Sequence, residues 1–118
     1  MSITAKYLYI VSMDVDPDKE ELFNEIYDTE HVPNILKVPG VIAATRTTLQ
    51  PADPSAAGGH RTLNPASEAR YSVIYEIESP DIMFSEAWKE QAEKGRWPSE
   101  VRPHTKNRSH VIRKVWEG

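Results

Sequence analysis

The stretch Lys6–Val15, KYLYIVSMDV, constrains the fold of this chain more than any other, because it reads as a strand with apolar side chains on both faces. Tyr7, Tyr9, Val11 and Met13 fall on one face, Leu8 and Ile10 on the other, so both faces require cover. The 118 residues, 39% hydrophobic and 27% charged, amount to a single domain, 1–118, able to bury a core without staples. There is no cysteine, which excludes disulfides, thiolate catalysis and iron–sulfur or zinc–thiolate sites.

The rest of the pattern says what lies beside that strand. Asp16 stands at a helix N-cap with Pro17 at the first position, and Leu22, Phe23, Ile26 and Tyr27 form an amphipathic stripe. Pro39-Gly40 is a turn, and Val41–Gln50 is a second strand. Residues 51–68, rich in proline and glycine, read as a long hairpin connection to a third strand, Ala69–Glu78. Ser79-Pro80 opens a second helix with the stripe Met83, Phe84, Ala87, Trp88 and Ala92, stopping near Gly95. Trp97–Asn107 is irregular, and Arg108–Trp116 is the last strand.

The order β-α-β-β-α-β predicts an α+β, ferredoxin-like fold: a four-stranded antiparallel sheet with both helices on one face. Two helices leave the second face open. An RNA-recognition module would require a basic residue, a glycine and interleaved aromatics on the third strand, but RYSVIYEI has no glycine and carries Glu76. The net charge of −4 also opposes nucleic acid and anionic membrane. Sheet-on-sheet packing in a two-fold homodimer is the expected cover. With no apolar run near the roughly 20 residues of a membrane span and no signal-peptide pattern, a cytoplasmic location is expected.

The run YDTEHVPNILKVPGV, from Tyr27 onward, resembles the EthD-like members of the dimeric α+β barrel superfamily. Those proteins carry a helix-borne tyrosine or tryptophan, then His-x-Pro, a short apolar segment and Pro-Gly leading into the second strand. The matching positions are Tyr27, His31, Pro33, Pro39 and Gly40. The resemblance implies a homodimer with a small-molecule cleft in each subunit. Relatives with this barrel include cofactor-free monooxygenases, isomerases, decarboxylases and dehydratases.

Pro33 lacks an N–H and disfavours helical geometry at Val32, so the first helix is expected to end or kink between Asp28 and Val32 and let His31 project out of the regular helix. Tyr27 and Asp28, four and three residues before His31, complete a candidate catalytic group. In it His31 transfers a proton, Asp28 orients the ring and favours its charged form, and Tyr27 donates to a substrate oxygen. Arg46, on the second strand, and Trp97 and Arg102, in the irregular segment, are candidate ligand-binding residues. Trp88 reads as core. No local metal-ligand spacing, phosphate loop, dinucleotide fingerprint or serine elbow is present, so neither metal nor cofactor is expected. The expected function is a small-molecule-binding homodimer, acting as a cofactor-independent catabolic enzyme of isomerase, dehydratase or oxygenase type. A non-catalytic binding or accessory protein with the same barrel is the alternative.

Overall fold

The computed structural model describes residues 3–51 and 63–118; most of the long hairpin connection, with His60 in it, lies outside the described residues. The strands are β1 (Tyr7–Val15), β2 (Val41–Thr48), β3 (Tyr71–Ile77) and β4 (Thr105–Lys114), in one antiparallel sheet ordered β2-β3-β1-β4. With helical segments joining β1 to β2 and β3 to β4, this is the ferredoxin-like arrangement.

One face of the sheet is buried under helices. Val11, Met13 and Val15 of β1 and Tyr71, Val73, Tyr75 and Ile77 of β3 point to it, and register sets Val11 against Val73 and Tyr9 against Tyr75. They meet Phe23 and Ile26 of α1 (Glu20–Ile26), Ile35 of α2 (Val32–Ile35), and Trp97 and Val101 in a single apolar cluster. Among the described residues the opposite face carries no helix. Ile74, Ile10 and Val111 form an apolar row across its three central and edge strands, with Val111 39% exposed.

Pro33 does not end the first helix. Residues Tyr27–His31 form a π-helical turn in which the Val32 N–H reaches the Tyr27 carbonyl, and the chain continues directly into α2. A regular α-helix would drive the Pro33 ring against the Thr29 carbonyl and leave that carbonyl without its donor. Widening one turn absorbs the misfit at less cost than breaking the helix, and the Thr29 hydroxyl donates to the Glu25 carbonyl at 2.7 Å beside it.

Other local expectations shift as well. The Asp16 carboxylate does not cap the helix but lies 3.5 Å from His104 Nδ1 and 3.4 Å from Lys106 Nζ, tying the end of β1 to the start of β4. The second helix begins later than Ser79-Pro80. A 3₁₀ turn at Ile82–Phe84 comes first, and Ser85 then caps α3 (Glu86–Ala92) by accepting the Trp88 N–H at 3.2 Å. Phe84 therefore leaves the expected apolar stripe and is 68% exposed. The irregular segment holds a second π-helical turn, Trp97–Val101, and a 3₁₀ turn, Arg102–His104, and β4 starts at Thr105.

Gly40 has φ +94°, and a Cβ there would sit 2.3 Å from Ile82 Cδ1. The left-handed backbone alone disfavours any other residue by ~1–2 kcal/mol. Gly40→Ala is therefore expected to lower stability by at least that much and the melting temperature by several degrees, read by urea and thermal denaturation with an unchanged m-value.

Candidate functional site

The two π-helical turns face each other, and their rings stack. His31, from the first, lies over Trp97, from the second, with ring centres 4.6 Å apart and planes 25° apart. Tyr27 stands edge-on to both, at 5.1 Å from His31 and 5.0 Å from Trp97. Each such aromatic pair contributes about 0.5–1.5 kcal/mol beyond burial, so the three rings fix the turns against one another. His31 thus points inward from a helix that widens rather than breaks, and is only 8% exposed.

Beside this stack a cavity of about 260 Å³ opens between the helices and the sheet. Tyr9 and Tyr75 form its floor, with Trp88 of α3 edge-on to them at 5.5 and 5.2 Å. Arg102, Arg108 and His110 stand at its polar side. His110 stacks on Tyr9 at 6.2 Å.

Burial sets the protonation of this group. His31 is held down to about pKa 4, first by desolvation and then by the positive charges of Arg102 and Arg108. It is neutral at physiological pH. Its Nδ1 is sealed from solvent and has no hydrogen-bond partner. A stranded lone pair costs less than a stranded N–H, so the ring proton belongs on Nε2. Burial likewise raises Tyr27 to about 12, against the lowering influence of Tyr75 and Arg46, and pushes Tyr75 well above the ordinary phenol value. His110 is lowered by desolvation and by Arg108.

Asp28 does not orient His31. Its Oδ1 accepts from Arg46 Nη1 at 2.8 Å, and its side chain is 63% exposed. The following carboxylate, Glu30, turns to Arg96, accepting its backbone N–H at 2.9 Å and its Nε at 2.6 Å. Those two bonds hold Glu30 below the usual carboxylate range. Gly95 makes the approach possible, since a Cβ there would lie 2.5 Å from Glu30 Oε1. Arg46 is not among the residues lining the cavity. Its guanidinium covers the Tyr27 and Phe23 rings, 4.8 and 5.4 Å from their centres, and donates from Nη2 to Asn24 Oδ1 at 2.8 Å.

Of the expected site residues, His31, Tyr27, Trp97 and Arg102 come together at the cavity, and Asp28 and Arg46 pair outside it. Tyr9, Tyr75, Arg108 and His110 join them without having been named as site residues, and Trp88, expected as core, is a wall of the cavity as well as part of the packing. A signal for the second turn is present in the chain. The pattern aromatic-x-hydroxyl-Glu-x-x-Pro runs Tyr27, Thr29, Glu30, Pro33 and recurs as Trp97, Ser99, Glu100, Pro103. Both copies close a π-helical turn from the leading aromatic carbonyl. Among the described residues no cluster of three His, Asp or Glu could hold a metal.

No family model and no curated protein sequence matches this chain. Solved structures do. An EthD family protein from Bacillus halodurans C-125 superposes with a TM-score of 0.59 at 13% identity, over 93% of this chain and 99% of that one. The heme-degrader MhuD of Mycobacterium tuberculosis, with two hemes bound in its active site, gives 0.53 at 17% identity over 92% and 94%. A candidate antibiotic biosynthesis monooxygenase from Nitrosomonas europaea gives 0.54 at 16% over 92% and 97%. The ferredoxin-like fold of this chain is thus the one found in EthD and related monooxygenase-type proteins.

The buried imidazole has a measurable consequence. Its folded pKa lies below the unfolded value of 6.5, so the unfolded chain binds a proton that the folded one refuses until about pH 4. Stability falls as the pH drops through that window, by ~3 kcal/mol when the whole shift is counted. His31→Phe, which keeps the stack, is expected to remove this part of the slope in denaturation measured between pH 7 and 4. The His31 ring resonance of the native protein should titrate near pH 4.

Proposed function

We propose that the chain is a homodimeric small-molecule-binding protein whose ligand, a compound of one or two aromatic rings, sits in the cavity beside His31. The observation that carries this reading is the composition of the cavity wall: stacked and edge-on aromatic rings enclose a space of about 260 Å³, with a few polar groups converging on it. That volume is slightly below the roughly 300–1,000 Å³ typical of ligand sites, which suits a ring system rather than a chain of many atoms. A porphyrin exceeds that volume.

Within this reading His31 orients the ligand by donating from Nε2. Proton transfer is a second role, and a specific feature favours it. The low pKa of His31 derives in part from Arg102 and Arg108. A ligand whose negative charge offsets those cations raises the imidazole pKa back toward its ordinary value, where a general base works best. Catalysis of isomerase, dehydratase or cofactor-independent oxygenase type would then begin only once ligand is bound. Tyr27, with its phenol held protonated, can donate to a developing oxyanion.

The dimer rests on the open sheet face. The apolar row of Ile74, Ile10 and Val111 is flanked by a row of Ser72, Ser12 and Ser109, in which Ser12 donates to Ser72 Oγ at 3.3 Å. A flat apolar band with a polar border is what two identical sheets bury against each other.

Both parts are testable. In a thermal-shift screen of one- and two-ring aromatics against aliphatic compounds of equal size, the aromatics are expected to raise the melting temperature. Trp97→Phe should weaken that effect several-fold, whereas Trp97→Ala would confuse it with a folding loss of ~3–5 kcal/mol. Sedimentation equilibrium is expected to give twice the monomer mass, reduced to one by Ile10→Glu. Equal shifts from aliphatic and aromatic compounds would remove the ligand reading, and a wild-type monomer would remove the dimer.

A further inference from the structure

We infer that the ligand of this cavity is an anion, an aromatic carboxylate, and that Arg108 is the residue that anchors it. The inference rests on the aromatic-ligand reading above and names the chemical class that reading leaves open.

The wall of the cavity has a one-sided electrostatic character. Arg102, Arg108, two histidines and three tyrosines line it, and among the described residues no aspartate or glutamate does. This occurs in a chain whose acidic residues outnumber basic ones, 18 to 14. The carboxylates nearest in sequence face elsewhere: Asp28 toward Arg46, Glu30 toward Arg96 and Glu93 toward Arg102 from outside. A space lined by donors and positive charge favours a negatively charged occupant. The sealed, unpartnered Nδ1 of His31 points the same way, because the neutral ring it implies offers the cavity a donor at Nε2.

Arg108 is set apart from the other arginines. Arg46, Arg70, Arg96 and Arg102 each have a carboxylate partner. Among the described residues Arg108 and Arg113 have none, and Arg113 pairs with Leu8 on the open face of the sheet. Arg108 reaches only the Thr105 hydroxyl, at 3.3 Å, and His110 Nε2, at 3.5 Å, which leaves the guanidinium without a counter-charge. Its position has a backbone cause. The β1–β4 register pairs Ser12 with Ser109 but Asp14 with Lys106, so Asn107 and Arg108 together stand opposite Met13. Asn107 takes φ +52° in this bulge and is pinned by donating to Asp14 Oδ2 at 3.1 Å and to the Ser67 carbonyl at 2.9 Å. The bulge keeps Arg108 and His110 on the cavity side of the strand, as bulges do where a side chain must be re-aimed. A carboxylate meeting this fork accepts two parallel hydrogen bonds.

The test compares benzoate, 4-hydroxybenzoate and 1-naphthoate with their carboxamides, which match them in shape but carry no charge. Binding to the full chain is followed by calorimetry and by quenching of Trp88 and Trp97, in a Trp116→Phe background because Trp116 is 88% exposed. The acids are expected to bind roughly tenfold or more tightly than the carboxamides at low salt, with the gap narrowing as salt is added. Arg108→Gln should abolish the gap while leaving carboxamide affinity in place, and Arg70→Gln, away from both the cavity and the open sheet face, should leave both unchanged. If acids and carboxamides bind with equal affinity, the aromatic cavity stands and the anion inference falls. An equal loss of both in Arg108→Gln would make Arg108 a structural wall and also overturn it. If neither class binds, the aromatic-ligand reading fails and takes the inference with it.

Discussion

The stack of His31 on Trp97 is the interaction on which the rest of the site depends. Each ring is delivered by a π-helical turn, and each turn stands two residues before a proline, Pro33 in one case and Pro103 in the other. A helix that must accommodate a proline either breaks or widens. Here it widens, and the side chains at the ends of the wide turn face the core. Tyr27 locks the pair from the side, Val101 and Phe23 fill the space behind it, and the cavity is what the rings leave uncovered.

The fold was legible because its signals are periodic. Alternation in β1 and β3, the stripe of α1 and the Pro39-Gly40 turn each follow from rules that act over a few residues, and the element order then admits very few topologies. The site was legible only in part. His31, Tyr27, Trp97 and Arg102 could be nominated as residue types in suggestive places, but the side chains beside them belong to other elements. Asp28 illustrates the difficulty. Its spacing from His31 permits contact, yet Arg46, arriving from β2, offers a full charge at 2.8 Å and takes it away. Helical spacing cannot rank a local partner against a distant one, and a charged pair outweighs contact with a neutral imidazole. Arg108 was hidden for another reason: a bulge changes the register by one residue, and only the paired strand reveals it.

Charge is distributed here in a way that net charge conceals. The surface carries the acidic excess, and Asp28, Glu30 and Glu93, on the elements around the cleft, are each held by an arginine. What remains inside the cleft is a positive and donor-rich lining against which an imidazole stays neutral. The same arrangement that depresses the His31 pKa also makes the site hospitable to negative charge, so the protonation of the ring and the occupancy of the cavity are linked properties.

The repeated aromatic-x-hydroxyl-Glu-x-x-Pro pattern has a further consequence. β1 with its following turn and β3 with its following turn are two versions of one unit, and they are joined along the β1–β3 ladder at the middle of the sheet. The cleft is therefore a seam between two like halves of a single chain. Its width is governed by how those halves abut, with Tyr9 against Tyr75 at the floor and His31 against Trp97 above. Residues far from any ligand, along that central ladder, act as the gauge that decides which molecules the opening admits.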